Sequence, residues 1–328
     1  MIEKTLRLPE FVKRPPVLVD VGASGALHEL WKPIAKKSVC LCFDADERDF
    51  GFVEKDSPHF RRLIVYRAAA VDGKNATEAE FYLTRYPHCS STLPPDGPAL
   101  ADWSFAGYFD VERKIRVRAV SLSAALKDVG LDYVDGFKTD SQGVDLRLFM
   151  SLDPEIRRRV LWAALEPGLI DAYVGEDKLP DVFRTLASEG FWLSSMKIQG
   201  STRITEGATR SGWEARAWSR GKIRLSPGWG ELAYLNSFRD RASFGKREYL
   251  LGWIFAVLEG QFGFALELAQ QGKESFRDPY FDELVSDTLR RMRWDIVRGI
   301  PRFLARAVLR GRRWIMSRSP ITALRSRA

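Results

Sequence analysis

Short apolar runs recur along the chain from residue 14 to residue 198, and each is closed by glycine, proline or acidic residues. RPPVLVDVGASG (14–25) reads as a buried strand entering a glycine turn, with Pro15 and Pro16 punctuating its start. LHELWKPIAKK (27–37) then has helical spacing, with Pro33 a fault in it. SVCLCFDAD (38–46) is a second strand ending in acids, FRRLIVYRAAAV (60–71) a third, and EFYLTRY (80–86) an additional one. IRVRAVS (115–121) is extended, and Ser121 can cap a short helix to Val129 that stops at Gly130. YVDGFKTD (133–140) and RRVLWAALEP (158–167) are further strands, with the helix VDLRLFMSL (144–152) between them. KLPDVFRTLASEGFWLSSMKI (178–198) is a helix, Gly190 and a strand. Strand and helix alternate with short joins, and several strands are apolar on both faces. That pattern predicts an α/β fold, a parallel sheet covered by helices.

Beyond Ser201 the pattern changes. WEARAWS (213–219) reads as a last, edge strand. KREYLLGWIFAVLEGQFGFALELAQQGKES (246–275) reads as two helices broken near Glu259 and Gly260. Its apolar content resembles a membrane span, but Glu259, Gln261, Glu267 and several glycines interrupt it, so a buried helical hairpin is expected. Residues 283–317 form an arginine-laced helical stretch interrupted at 299–301. The expected domains are an α/β domain 1–220, a helical extension 221–285 and a basic amphipathic tail 286–328.

The chain has 328 residues, 45% of them hydrophobic, ample for a large core. Cys40, Cys42 and Cys89 make no disulfide framework, and His28, His59 and His88 are too scattered for a zinc-type cluster, so no metal is expected. The opening MIEKTLRLPEF lacks the apolar run of a secretion signal, and the reading is a reducing, cytoplasmic compartment. The net charge of +8 is uneven. Residues 289–328 hold twelve arginines and one acid, a charge of +11 that leaves the remainder at −3. Such asymmetry points to a surface partner for the tail. An arginine-rich helix with Trp and Phe anchors fits an anionic membrane surface, on the inner face; the alternatives are nucleic-acid phosphates or no partner.

Asp20, Gly22 and Gly25 lie at the carboxyl end of the first strand, where glycines let a backbone approach a ligand. A tight strand–helix turn explains them equally well. Asp44 ends the second strand, where a Rossmann-type fold accepts hydrogen bonds from ribose hydroxyls; a solvated strand end is the alternative. The glycine pattern is not the full GxGxxG. Asp20 suits an amino-acid-bearing ligand better than a pyrophosphate, which favours S-adenosylmethionine over NAD. Lys138 and Asp140 are two apart on a strand, so both project to one surface at its carboxyl end. Alternatively Asp140 caps the next helix, with Lys138 its ion-pair partner.

VLVDVGASG, CFDAD, RAAAVDG…AEFYLTR, CSSTL, VRAVSLSAAL, VDGFKTDSQGVDLRLF and LASEGFWL, in that order, resemble the blocks of FkbM-type S-adenosylmethionine methyltransferases. The resemblance covers about residues 15–197. It implies a doubly wound, Rossmann-like seven-stranded sheet and O-methylation of a hydroxyl, commonly on a sugar, glycolipid or secondary metabolite. The family's glycine motif falls on Asp20, Gly22, Ala23 and Gly25, and its second-strand acid on Asp44, here within FDA rather than FEP. Asp72, after the third strand, is the candidate at the adenine. A methyl acceptor must be held in line and must lose a proton. Where the family often has glutamate, Gln142 cannot take that proton. The base then falls to Asp140 with Lys138 beside it, and His88 is a second candidate. Gln142, Glu166, His88 and Ser91 are expected on the acceptor side, and Asp145 as a helix-dipole acid. Two rival readings remain: a non-catalytic scaffold retaining the fold, and a nucleic-acid methyltransferase using the tail. The amino-methylating signature of the latter is missing, since DSQG stands in its place.

Overall fold

The computed structural model describes residues 1–23, 28–46, 48, 59–73, 75–205, 208 and 224–293. Gly25, the WEARAWS segment and the chain beyond Arg293 lie outside the described residues.

The apolar runs form the strands of a central sheet. β1 (Val17–Val21), β2 (Val39–Asp44) and β3 (Arg62–Arg67) are followed by β4 (Ala69–Val71), β5 (Glu78–Thr84) and β6 (Val111–Ser121). Then come β7 (Gly136–Thr139), β8 (Trp162–Leu165), β9 (Phe191–Ser201) and β10 (Ser226–Asn236). Seven of them make one sheet in the order β3-β2-β1-β7-β8-β10-β9, and β4, β6 and β5 make a second of three. The central sheet is parallel from β3 to β8, and β10 runs antiparallel to both β8 and β9. Counted within the sheet, the order is 3-2-1-4-5-7-6, the doubly wound order with one reversed strand added between the fifth and sixth. The order reverses between β1 and β7, and the carboxyl ends of those strands form the switch-point crevice.

Several expectations are corrected. The third run is broken at Ala68 into β3 and β4, which belong to different sheets. Residues 29–34 form turns and Ala35–Lys37 a single 3₁₀ turn, so the segment with Pro33 is not an α-helix. The last sheet strand found among the described residues is β10, beyond residue 220, and the compact unit that holds the sheet runs from Met1 to Gln261.

α1 (Leu122–Asp128), α2 (Asp145–Ser151) and α3 (Leu179–Ser188) cover one face of the sheet. Leu122, Leu126, Leu148, Phe149, Val182 and Leu186 bury against Val17, Val19, Leu41, Phe43, Phe137 and Leu165. Ser121 accepts from the Ala124 amide and so caps α1 as expected. The opposite face carries rings. Trp31 and Trp162 meet Phe255 of α4 (Lys246–Leu258), at centroid separations of 5.4 and 6.3 Å. Gly136 makes room there, since a Cβ on it would stand 2.4 Å from the Trp31 ring. α4 is apolar nearly all round because it is buried from Tyr249 to Val257. The next helix, α5 (Phe262–Phe276), opens a second unit that continues through a helix at 280–293. The helix break near Glu259 is therefore as expected. Among the described residues no helix is long and apolar enough to cross a membrane.

At the amino ends of β1 and β7 a buried ion pair fixes α4. Arg247 Nη1 and Nη2 donate to the two carboxylate oxygens of Asp135 at 2.8 and 2.7 Å. Arg247 also donates to the carbonyls of Arg14 and Pro15, while Asp135 accepts from the Val17 amide at 2.9 Å. Burial alone would lower the Arg247 pKa, but the Asp135 charge outweighs it and the net shift is upward. Removing one partner leaves the other charge buried alone, so Arg247→Ala should lower the unfolding free energy by about 3–5 kcal/mol. Urea denaturation followed by circular dichroism measures this.

Candidate functional site

The site grows from the contact between two main chains. Gly22, just after β1, has φ +71°, a conformation that L side chains rarely adopt. A Cβ on it would stand 2.0 Å from the Asp140 carbonyl oxygen, so only glycine lets the loop lie against the end of β7. The Gly22 and Ala23 amides both donate to the Phe43 carbonyl, and the Asp140 amide donates to the Val21 carbonyl. Ala23 is fully buried, so its part is structural.

Asp20 and Lys138 lie opposite one another in the β1–β7 register. Lys138 Nζ is 3.2 Å from Asp20 Oδ1, and it donates to the Gly22 carbonyl at 3.0 Å. Asp20 is 0% exposed and Lys138 15%. The Lys138 contact is an ion pair off hydrogen-bonding geometry, and neither Asp20 oxygen has a hydrogen-bond partner. Burial pushes the Asp20 carboxyl up against the pull of Lys138. Burial would likewise lower Lys138, but the charges of Asp20 and Asp140 outweigh it and hold the ammonium. The expected pairing of Lys138 with Asp140 is thereby corrected: Lys138 clamps the first loop through Asp20 and Gly22.

Asp140 does not cap α2 either. The N-cap residue is Val144, which makes no side-chain cap, and the segment before the helix is held by Asp145 instead. Asp145 Oδ1 accepts from Thr139 Oγ1, from the Ser141 amide and from Ser141 Oγ, and Oδ2 accepts from the Glu166 amide at 2.6 Å. This helix-start acid is a buried latch between the ends of β7 and β8. Its own burial pushes its pKa to about 6, against the hydrogen bonds from Ser141.

Asp140 Oδ1 accepts from Gln142 Nε2 at 2.5 Å. Gln142 adopts φ +57°, held there by hydrogen bonds from Ser91 Oγ to its carbonyl and from the Tyr173 hydroxyl to Oε1. Ser91 is buried and spends its hydroxyl on that carbonyl, so it is a support rather than a ligand contact. Its neighbours Ser90 and Thr92 face a hollow instead. Asp72 is exposed after β4 and lines none of the cavities described below.

Cavities surround Asp140. Two small hollows of about 60 and 50 Å³ share Gly22, Asp44, Phe81, Ser90 and Asp140. Ala68, Ala69 and Ala70 wall the first, and His88 and Gln142 border the second. Asp44 accepts from the Asp46 amide at 2.8 Å; burial and then the Asp46 charge push its pKa to about 6. On the other side of Asp140 is a cleft of about 800 Å³, lined by Tyr86, Phe105, Tyr108, Phe109, Tyr173 and Trp229 as well as Gln142, His88 and Glu166. A further cleft of about 600 Å³ holds His28, Lys138 and Lys197, and shares Glu166 and Glu231 with it. Glu166 is pushed well above the usual carboxylate range, by burial first and then by the charges of Asp140 and Asp145.

Of the candidates, Gly22, Asp44, Asp140, Gln142, Glu166 and His88 line the cavities, Ser91 supports Gln142 from behind the wall, and Asp72 lies apart. The aromatic walls escape the motif reading; the signal for them is WSFAGYF (103–109), too aromatic for a solvated loop.

Asp44 binds its proton more tightly in the folded chain than in the unfolded one. Its contribution to stability is therefore full near pH 4 and lost as pH climbs through about 6. Asp44→Asn keeps the acceptor for the Asp46 amide and removes the charge. Relative to the parent chain, it should gain about 1–3 kcal/mol between pH 4 and pH 7. Urea unfolding across that range reads the difference.

A scan of protein-family models and a search of curated proteins found no match to this chain.

Proposed function

We propose that the chain is an S-adenosylmethionine-dependent methyltransferase acting on a hydroxyl of a sugar, glycolipid or secondary metabolite. The observation that carries this reading is the meeting, at Asp140, of the glycine-floored hollows with a large aromatic cleft, both at the switch point of the sheet.

The residues present fit the cofactor. Asp44 at the edge of the hollow supplies a carboxylate for a ribose diol, and the small side chains of Ala68, Ala69 and Ala70 leave a flat wall for a purine. Gly22 keeps the first loop free of side-chain bulk, and buried Asp20 braces that loop through Lys138. When bound, the cofactor supplies an electrophilic methyl group on a positively charged sulfur. The protein then has two tasks, to hold an acceptor oxygen in line and to take its proton.

Asp140 answers the second. Gln142 occupies its Oδ1 and orients the carboxylate, and Oδ2 accepts no hydrogen bond from the described residues, so it can take the hydroxyl proton. Lys138 acts one step back, holding the Gly22 loop and lending positive charge beside Asp140. Glu166, pushed up by burial and its acidic neighbours, lines the cleft on the acceptor side of Asp140. The arginine-rich tail supports an anionic membrane surface as a further partner.

Transfer of labelled methyl from the cofactor to fractionated cell extract tests the reading. Asp140→Asn should cut the rate by about 10²–10⁴-fold. An unchanged rate would remove Asp140 as the base. For the tail, the full chain should float with anionic vesicles and a chain ending at Arg293 should not; equal flotation would discard the membrane partner.

A further inference from the structure

The described lining of the 800 Å³ cleft contains Asp140, Glu166, Glu176 and Glu231 but neither lysine nor arginine. Two of these acids are already answered. Glu176 accepts from Lys178 and from the Ala172 amide, and Glu231 from Lys197 and Gln199. Asp140 has one oxygen engaged by Gln142. Glu166 differs: its carboxyl makes no hydrogen bond or ion pair with another described residue, although it is half-buried between two clefts. Aromatic faces line the same cleft. Phe105 and Trp229 are stacked with centroids 6.3 Å apart, and Tyr86 and Tyr108 pair at 5.2 Å nearer solvent.

Aromatic faces together with unanswered acid attract a cation and repel phosphate or carboxylate. Rings also offer flat surfaces to the apolar side of a saturated ring, while Ser104 and Ser201 supply hydroxyls. We propose that the acceptor is a hydroxylated small molecule bearing an ammonium group, of the amino-sugar class, with that ammonium seated against Glu166. Calling the ligand an acceptor rests on the methyl-transfer reading; its chemistry rests on the cleft alone. The upward-shifted Glu166 carboxyl gives its proton to solvent as the ammonium arrives, exchanging a buried neutral acid for a desolvated ion pair.

Calorimetric titration without cofactor tests this on the full chain, at about 0.15 M salt to screen loose surface association. The probes are the aminoglycoside kanamycin, its fully N-acetylated form, neutral maltotriose, a hexose phosphate and spermidine. Kanamycin should bind, and its N-acetylated form should bind at least about tenfold more weakly. Glu166→Gln, which preserves the backbone bond to Asp145, should cost kanamycin a similar factor. The N-acetylation comparison uses the parent chain and stands even where the variant fails to fold. The proposal is overturned by equal binding of acetylated or neutral sugar, by preference for the phosphate, by spermidine matching kanamycin, or by no binding of either amine probe to the folded chain. Since these titrations contain no cofactor, a failure of methyl transfer leaves their outcome intact, and the reverse holds too.

Discussion

Everything at the candidate site depends on two backbones touching. The loop after β1 lies against the end of β7 so closely that a methyl group at Gly22 would overlap the Asp140 carbonyl. Lys138 fastens the contact by donating to the Gly22 carbonyl while pairing with fully buried Asp20. A buried ion pair of this kind brings little net stability, because desolvation offsets most of the attraction. Its value is positional: it fixes the register of β1 against β7 at the one place where the sheet changes direction. Asp140 then falls between the small hollows and the aromatic cleft.

The same arrangement divides the acids by role. Asp20 is sealed beneath the loop, and Asp145 is consumed by four hydrogen bonds that tie β7 to β8. Asp44, Asp140 and Glu166 remain at the walls of cavities. Burial raises Asp44, Asp145 and Glu166, so a site rich in carboxyls holds less negative charge than its formula indicates. That is how so many acids stand close together without driving the loops apart.

Much of the framework was legible because parallel strands buried on both faces read as continuous apolar runs. VLVDV, VCLCFD and WAAL each became a strand at the expected place. β10 was not legible, since SPGWGELAYLN begins with a proline and two glycines that weaken any strand signal, and its bulges absorb them. The break at Ala68 escaped for a different reason: nothing in an alanine run marks the point where a strand leaves one sheet for another. At the site, spacing gave Asp140, Gln142 and Asp44 their neighbourhood but not their partners. Cross-strand register gives Lys138 to Asp20, and a one-residue offset turns Ser91 inward while Ser90 and Thr92 face the hollow. Such facts arise from tertiary pairing, which sequence distance does not encode.

Calorimetry decides whether the hollow beside Gly22 and Asp44 takes the proposed S-adenosylmethionine. Titrated with that cofactor, the full chain should bind one equivalent, and Asp44→Ala, folded by circular dichroism, should bind at least about tenfold more weakly. No binding by the folded parent chain, or equal affinity in the variant, would contradict it.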